Sequence, residues 1–406
     1  MSILIKNATI FDNSSPYNHQ KKDILIDNGI IEKISNNIQI LEKYQVLEFE
    51  NLYISCGWFD TSVSFGEPGF EERETIKNGL SVAAKSGFTA IAVNGNTNPV
   101  IDSKSDIEYI KSKSISSSTK IYPIGALTPN FNGMELAELY DMKQSGAIAF
   151  GDYKTATEND NLMKIALQYA QNFDGLVLSF PKNNKIAGAG VANEGINSTK
   201  LGLKGIPALA EHIQIARDLF LLEYTGGKLH IPTISTEKSI ELIREAKNKG
   251  LNVSCSVSVH HLTLSDDELE GFDSNFKTNP PLRTKIDTNA LQKAVKDGII
   301  DSITSDHNPI DIENKKVEFS VAEDGVIGLE SAFGVLNSIF NLEDFIPLLT
   351  SKPRQIFNLK ETSIKVGNKA DITLFNPELE DVFKEENILS TSKNSPFINK
   401  KIKGKV

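Results

Sequence analysis

Eight short apolar runs recur through the middle of this 406-residue chain, and nothing else in it restricts the fold as tightly. They read LYISCGWFD (52–60), FTAIAVN (88–94), KIYPIGAL (120–127), AIAFGD (147–152), GLVLSF (175–180), KLHIPTIS (228–235), NVSCSVS (252–258) and DSITSD (301–306). Runs of this length are strand-like. Between most of them lie stretches such as LMKIALQYAQNF and STEKSIELIREAKNKG, with apolar residues at i, i+3, i+4 and i+7, the period of a helix with one buried face. The second stretch opens on a Ser/Thr cap and stops at Gly250, as helix boundaries do. Eight strand–helix repeats predict an α/β fold of the (β/α)8 barrel type, with a doubly wound sheet as the competing architecture.

The two ends of the chain have a different texture. ILIKNATIFD is followed by KDILIDNGIIEKIS, with the turn signal Asp27-Asn28-Gly29 inside it, and the C-terminus returns to GNKADITLFNP and SPFINKKIKGKV. Such patterns read as hairpins. They predict a small β-sandwich domain built from both termini, residues 1–52 plus 355–406, around a barrel of residues 53–354.

Composition narrows the function classes. The formal net charge is −10, and nucleic-acid binders usually carry a basic face, so no nucleic-acid partner is expected. Two cysteines, Cys56 and Cys255, make neither a disulfide framework nor a cysteine zinc site, and a reducing cytoplasm is the default expectation. The opening MSILIKNATIFDN alternates apolar and polar residues as a strand does and does not read as a signal peptide. No run approaches the roughly 18 apolar residues of a membrane span.

In barrels of this kind the chemistry sits at the C-terminal ends of the strands. The stretches to weigh are therefore Asp60–Ser64, Asn94–Asn98, Asp152–Lys154, Ser179–Lys182, His230–Thr233, Ser256–His261 and Asp306–Ile310. Several longer stretches carry a family resemblance: GEPGFEERETIKNGLSVAAKSGFT, NGNTNPV, NEGINSTKLGLKGIPALAEHIQIARDLFLLEYTGGKLHI, NFKTNPPLR, DHNP, GVIGLESAFGVL, KADITLFNP and SKNSPF. Through them nearly the whole chain resembles the dihydroorotases of the amidohydrolase superfamily, the type found beside aspartate carbamoyltransferase in pyrimidine synthesis.

The resemblance implies zinc-assisted opening or closing of a cyclic amide, with an aspartate moving the proton. It also implies where the ligands belong. The first strand of the family ends in Asp-x-His-x-His; residues two apart on a strand point the same way and share one ion. Here those positions are Asp60, Ser62 and Ser64. The histidine expected after the fifth strand is Phe180, and the one closing Leu-His-x-x-His is Thr233. Asp152 is followed by Tyr153 where the family carries an aspartate pair. The arginine that holds the substrate carboxylate is Gly66, and the histidine closing Asp-His-Ala-Pro-His is Ile310. Asn96 and Asn279 match substrate-contacting asparagines, and Asp306 matches the proton-shuttle aspartate.

Hydroxyl and phenyl groups are poor replacements for imidazole at zinc. The expectation is a dihydroorotase-like pseudoenzyme with no cofactor, although a single weak divalent cation at the residual carboxylates Asp60, Asp152 and Asp306 stays open. Three such carboxylates without a cation would repel one another, and Lys154 or Lys182 is available to neutralise them. Ser62 and Ser64 lack the motif and base of a nucleophilic serine. His230, His260, His261 and His307 read as hydrogen-bonded barrel residues rather than ligands, and Arg283 as a structural partner. The family resemblance further implies a homo-oligomer and a structural or regulatory association with aspartate carbamoyltransferase. The competing expectation is an active cyclic-amide hydrolase with an atypical metal site.

Overall fold

A computed structural model describes residues 2–406. Among them, eight parallel strands close into a barrel: β1 (Trp58–Val63), β2 (Phe88–Val93), β3 (Lys120–Gly125), β4 (Ala149–Phe150), β5 (Val177–Leu178), β6 (Leu229–Ile231), β7 (Val253–Ser258) and β8 (Ser302–Thr304). Each pairs with the next in chain order. The ring is sealed between β8 and β1, where Ser64 N donates to His307 O at 2.7 Å and the Thr304 hydroxyl donates to Ser62 O at 3.1 Å. The intervening helices cover the outside. The helix Glu237–Asn248, for example, is capped by the Thr236 hydroxyl and buries Ile240, Ile243 and Ala246; its chain reverses at Gly250 with φ of 80°.

Among the described residues, the terminal segments form a seven-stranded sheet of Ser2–Phe11, Lys21–Asp27, Ile30–Ser35, Tyr44–Leu47, Tyr53–Cys56, Ile372–Val382 and Lys401–Lys405. The predicted turn is present: Asn28 and Gly29 have φ of 49° and 77°, which suits the twist of a tight hairpin. This sheet has its own core of Ile5, Ile10, Ile24 and Ile54.

One predicted run divides. Residues 52–60 read as a single barrel strand, but Tyr53–Cys56 pairs with Thr9–Phe11 on one side and Ile372–Phe375 on the other, so the terminal sheet extends past residue 52. The chain changes sheets at Gly57, whose N–H donates to Asp371 O at 2.9 Å. A Cβ at Gly57 would lie 2.0 Å from Thr89 Oγ1 and 2.2 Å from Asp371 Oδ1, so no side chain fits there. Beside the junction Trp58 stacks among Phe88, Phe333 and Phe375 and locks the two sheets together.

Candidate active site at the barrel mouth

The strand ends bring the sequence-predicted positions together. Ser62, Lys154, Phe180, His230, Thr233 and Asp306 line one small space at the C-terminal mouth of the barrel. That space is about 20 Å³, on the order of a single water molecule. Phe180 is 3 % exposed and occupies the volume at the end of β5.

Each residual carboxylate has been given a local partner. Asp60, fully buried within β1, accepts from Ser305 N at 2.9 Å, Ser62 N at 3.1 Å and the Thr304 hydroxyl. Burial nevertheless pushes its pKa up to about 6, against the pull of those donors. Asp152 is turned into the loop after β3, where it accepts from Leu127 N at 2.8 Å, Thr128 N at 2.9 Å and the Thr128 hydroxyl at 2.6 Å. Asp306 is paired with an ammonium: Lys154 Nζ stands 2.8 Å from its Oδ2, with side chains 11 % and 2 % exposed. Burial raises the Asp306 pKa, and Lys154 pulls it back. Burial opposes the Lys154 charge, but the Asp306 carboxylate holds its pKa above the ordinary lysine value. Of the two lysines able to balance the mouth, Lys154 makes the ion pair; Lys182 is half-buried nearby with its pKa lowered by burial.

The hydroxyls at the first-strand ligand positions are engaged with asparagines. Asn94 Nδ2 donates to Ser62 Oγ at 3.0 Å, and Ser64 Oγ donates to Asn96 Oδ1 at 2.8 Å. Asn96 therefore braces β1 against the loop after β2. Asn279 is 8 % exposed, and its Oδ1 has no hydrogen-bond partner. Thr233 is held by its backbone, whose N–H donates to Ser256 Oγ at 3.1 Å. Gly66 could not carry an arginine in this loop, because a Cβ there would lie 1.7 Å from Phe70 O. Ile310 is buried, with its N–H on Asn394 Oδ1 at 3.3 Å.

The histidines are spoken for or deeply buried. His230 Nδ1 bonds Ser254 Oγ at 2.8 Å and its Nε2 meets Ser256 Oγ at 3.2 Å. His261 Nδ1 bonds Ser258 Oγ at 2.6 Å, and its Nε2 faces the carbonyls of Pro280 and Pro281 at 3.2 Å. His307 Nδ1 accepts from Gly328 N at 3.2 Å. Burial takes the pKa of all three down to about 3, so they are neutral. His260 Nε2 is 3.9 Å from Asp306 Oδ2 and has no hydrogen bond. Arg283 is buried with Nη1 on Asn193 Oδ1 and Ile206 O, both at 2.9 Å, and Nε on Ser235 Oγ at 3.1 Å.

A zinc ion does not fit these donors. The ligand positions offer two hydroxyls, a phenyl ring and a threonine, and an ammonium stands against the one carboxylate left facing the space. Among the described residues no group of three or more His, Cys, Asp and Glu side chains is arranged to hold a metal. Sequence reasoning did not find the backbone strain at the same strand ends: Tyr153, Thr233 and Asp306 have φ of 49°, 49° and 48°. The left-handed region is unfavourable for such residues, β-branched threonine above all. The ends of β4, β6 and β8 thus keep sharp, costly geometry, roughly 1–3 kcal/mol each.

Comparisons with known proteins agree with the fold and with the motifs. A sequence profile described as "Dihydro-orotase-like" matches residues 53–239. A dihydroorotase from Thermoanaerobacter sp. is 39 % identical over 413 aligned residues, spanning 100 % of this chain and 95 % of the relative. Another from Trichlorobacter lovleyi is 36 % identical over 410, spanning 100 % and 96 %. Among solved structures, L-hydantoinase (dihydropyrimidinase) from Arthrobacter aurescens superposes with a TM-score of 0.86 at 20 % identity, covering 99 % of this chain and 93 % of that one. D-Hydantoinase (dihydropyrimidinase) from a Thermus species gives 0.83 at 20 %, covering 99 % and 92 %; at such identity these two speak for the fold. No helix among the described residues is long and apolar enough to cross a membrane. With a closed barrel, a terminal β-sheet and more than a third of its residues shared with dihydroorotases along its full length, the chain belongs to the dihydroorotase-like family.

Proposed function

We propose that this chain is a dihydroorotase-like protein of pyrimidine biosynthesis that does not hydrolyse cyclic amides. We further propose that it serves as a structural or regulatory partner of aspartate carbamoyltransferase. The observation that carries the first part is the Lys154–Asp306 ion pair beside a space of about 20 Å³. Sites for small ligands are on the order of 300–1,000 Å³. The aspartate in the proton-shuttle position is held by an ammonium, and there is no room beside it for a ring to be opened.

A second reading, an active dihydroorotase with an atypical site, is favoured by the names and the full-length identity of the relatives. Turnover of dihydroorotate and carbamoyl-aspartate separates the two, measured with and without added zinc. The same assay belongs on a variant carrying Ser62→His, Ser64→His, Phe180→His and Thr233→His. Neither protein is expected to turn over, since Lys154 still occupies Asp306 in the variant; adding Lys154→Met is expected to raise its zinc stoichiometry from near zero. Turnover by the unaltered chain would establish the second reading. The partnership is tested by co-purification with aspartate carbamoyltransferase; two species that elute separately at micromolar concentration would remove it.

A further inference from the structure

Four lysines meet at the mouth of the barrel, each from the loop after a different strand: Lys154 after β4, Lys182 after β5, Lys277 after β7 and Lys315 after β8. Among the described residues only Lys154 of these has a carboxylate against it, Asp306 at 2.8 Å. Lys277 and Lys315 are 5 % and 4 % exposed, yet their ammoniums hydrogen-bond only to backbone carbonyls. Lys277 Nζ donates to Ala322 O at 2.6 Å and Ser320 O at 3.2 Å, and Lys315 Nζ donates to Glu323 O at 2.9 Å and Lys277 O at 3.3 Å. Lys182 is half-buried and, among the described residues, forms no hydrogen bond or ion pair. Buried charges are ordinarily paired, so three ammoniums without a carboxylate in one place call for an anion.

Their own chain supplies a partial one. Burial lowers the pKa of Lys182, Lys277 and Lys315, and in all three the strongest opposing influence is the carboxylate of Asp324. Asp324 also supports the Lys154 charge, after Asp306 and Tyr153, and Asp273 adds a weaker pull on Lys315. The lysines themselves fix where Asp324 stands. Lys277 and Lys315 grip the carbonyls of Ser320, Ala322 and Glu323. Asn308 Nδ2 donates to Asp324 O at 3.2 Å, and Gly325 N donates to Lys277 O at 3.0 Å. The strap from Ser320 to Gly325 thus hangs a half-buried carboxylate among four ammoniums. That carboxylate accepts no hydrogen bond among the described residues, so it is held by its backbone rather than by its own oxygens.

We infer that Lys154, Lys182, Lys277 and Lys315 form an oxyanion site for a phosphate-type dianion, and that Asp324 is its tethered stand-in. Charge sets the class of ligand. With Lys154 balanced by Asp306, displacing Asp324 leaves two to three positive charges, since Lys315 titrates near neutrality; a dianion matches them and a monocarboxylate does not. Lysine binds phosphate as a point charge and needs no fixed fork geometry. Tyr153, beside Lys154, adds a buried hydroxyl without a partner, a neutral donor that such an anion would engage. None of the four lysines stands at a position that the family resemblance gives to metal or substrate, and the inference does not depend on whether the mouth turns over a substrate. A tethered group competes at an effective concentration on the order of millimolar, so the free anion must exceed that range to displace Asp324.

Calorimetric titration of the full chain with inorganic phosphate, at an ionic strength held constant by chloride, tests the site. Asp324→Ala removes the competing carboxylate and is expected to bind phosphate at least ~10-fold more tightly than the unaltered chain. Adding Lys182→Met removes the one ammonium that grips no backbone, and should weaken binding by that variant at least ~10-fold, the worth of one charge-assisted contact. Equal binding by the unaltered chain and Asp324→Ala, no binding by either at ~50 mM phosphate, or indifference to Lys182→Met would overturn the site. A second measurement needs no variant. Acylation of Lys182 in the unaltered chain should slow at least ~5-fold at ~20 mM phosphate, while the exposed neighbour Lys185 keeps its rate. Equal slowing at both lysines, or none at either, would overturn the site as well. Glycerol 3-phosphate run beside phosphate distinguishes an anion carried on an organic ligand, if it binds more tightly, from one taken free, if it binds more weakly.

Discussion

At the residue scale the decisive group is an ammonium at the barrel mouth. Lys154 and Asp306 are both nearly out of solvent, and a buried pair of this kind is a poor source of stability but a costly thing to break. Lys154→Met leaves the Asp306 carboxylate with no cation, and the nearest alternative is a neutral His260 at 3.9 Å. We expect a loss of roughly 3–5 kcal/mol on urea unfolding. The double change Lys154→Met with Asp306→Asn should recover most of it, because the stranded charge is then gone. If the single variant lost less than ~1 kcal/mol, the pair would be solvated, as exposed ion pairs are, and the mouth more open than its geometry indicates. The left-handed φ at Asp306 and Thr233 is a second residue-scale trait: the backbone makes a sharp exit at the ends of both β8 and β6.

At the element scale, eight strand–helix units were legible because each barrel strand is a continuous apolar run between amphipathic helices. At Ser62 and Ser64 the resemblance implies imidazoles where this chain has hydroxyls; alternation on β1 by itself fixes only that the two share a side. What was not legible came from contacts far apart in the chain. Nothing local in LYISCGWFD says that Tyr53–Cys56 follows the terminal sheet while Trp58–Val63 turns into the barrel; the partners are at Thr9–Phe11 and Ile372–Phe375. Likewise three aspartates counted as facing one mouth separate once Asp152 turns to Thr128 and Asp60 to Ser305. The junction itself is testable. Gly57→Ala puts a methyl carbon where Thr89 and Asp371 atoms already are, and overpacking of this kind costs about 1–3 kcal/mol. We expect an urea midpoint lowered accordingly, with the fluorescence of Trp58, the one tryptophan, reporting the disturbed junction. An unchanged midpoint would mean that the two sheets are free to separate there.

At the scale of the whole molecule, the barrel has become a store of buried neutral histidines. His230, His261 and His307 hold folded-state pKa values of about 3, below the 6.5 or so of an unfolded histidine. Their contribution is fully present above the unfolded value and is lost as pH falls toward the folded one, since in that window the unfolded chain takes up protons the folded chain cannot. Asp60 works the other way: with a folded value of about 6 against about 3.9 unfolded, it lets the folded chain hold one proton more. Each of these histidines thus takes up about one proton on unfolding below about pH 6, roughly 1.4 kcal/mol of stability lost per pH unit, and Asp60 offsets one of them down to about pH 4. Above pH 7 the histidine contribution is constant. The main remaining slope comes from Lys315, whose buried ammonium has its pKa lowered to about 7, and this is close to one proton. Urea titrations at half-unit steps from pH 8 to 5 should therefore show a slope that steepens below pH 6.5. Equal slopes on the two sides would mean that the histidines of the mouth are reached by water in the folded protein, and that its interior is not the sealed one its geometry describes.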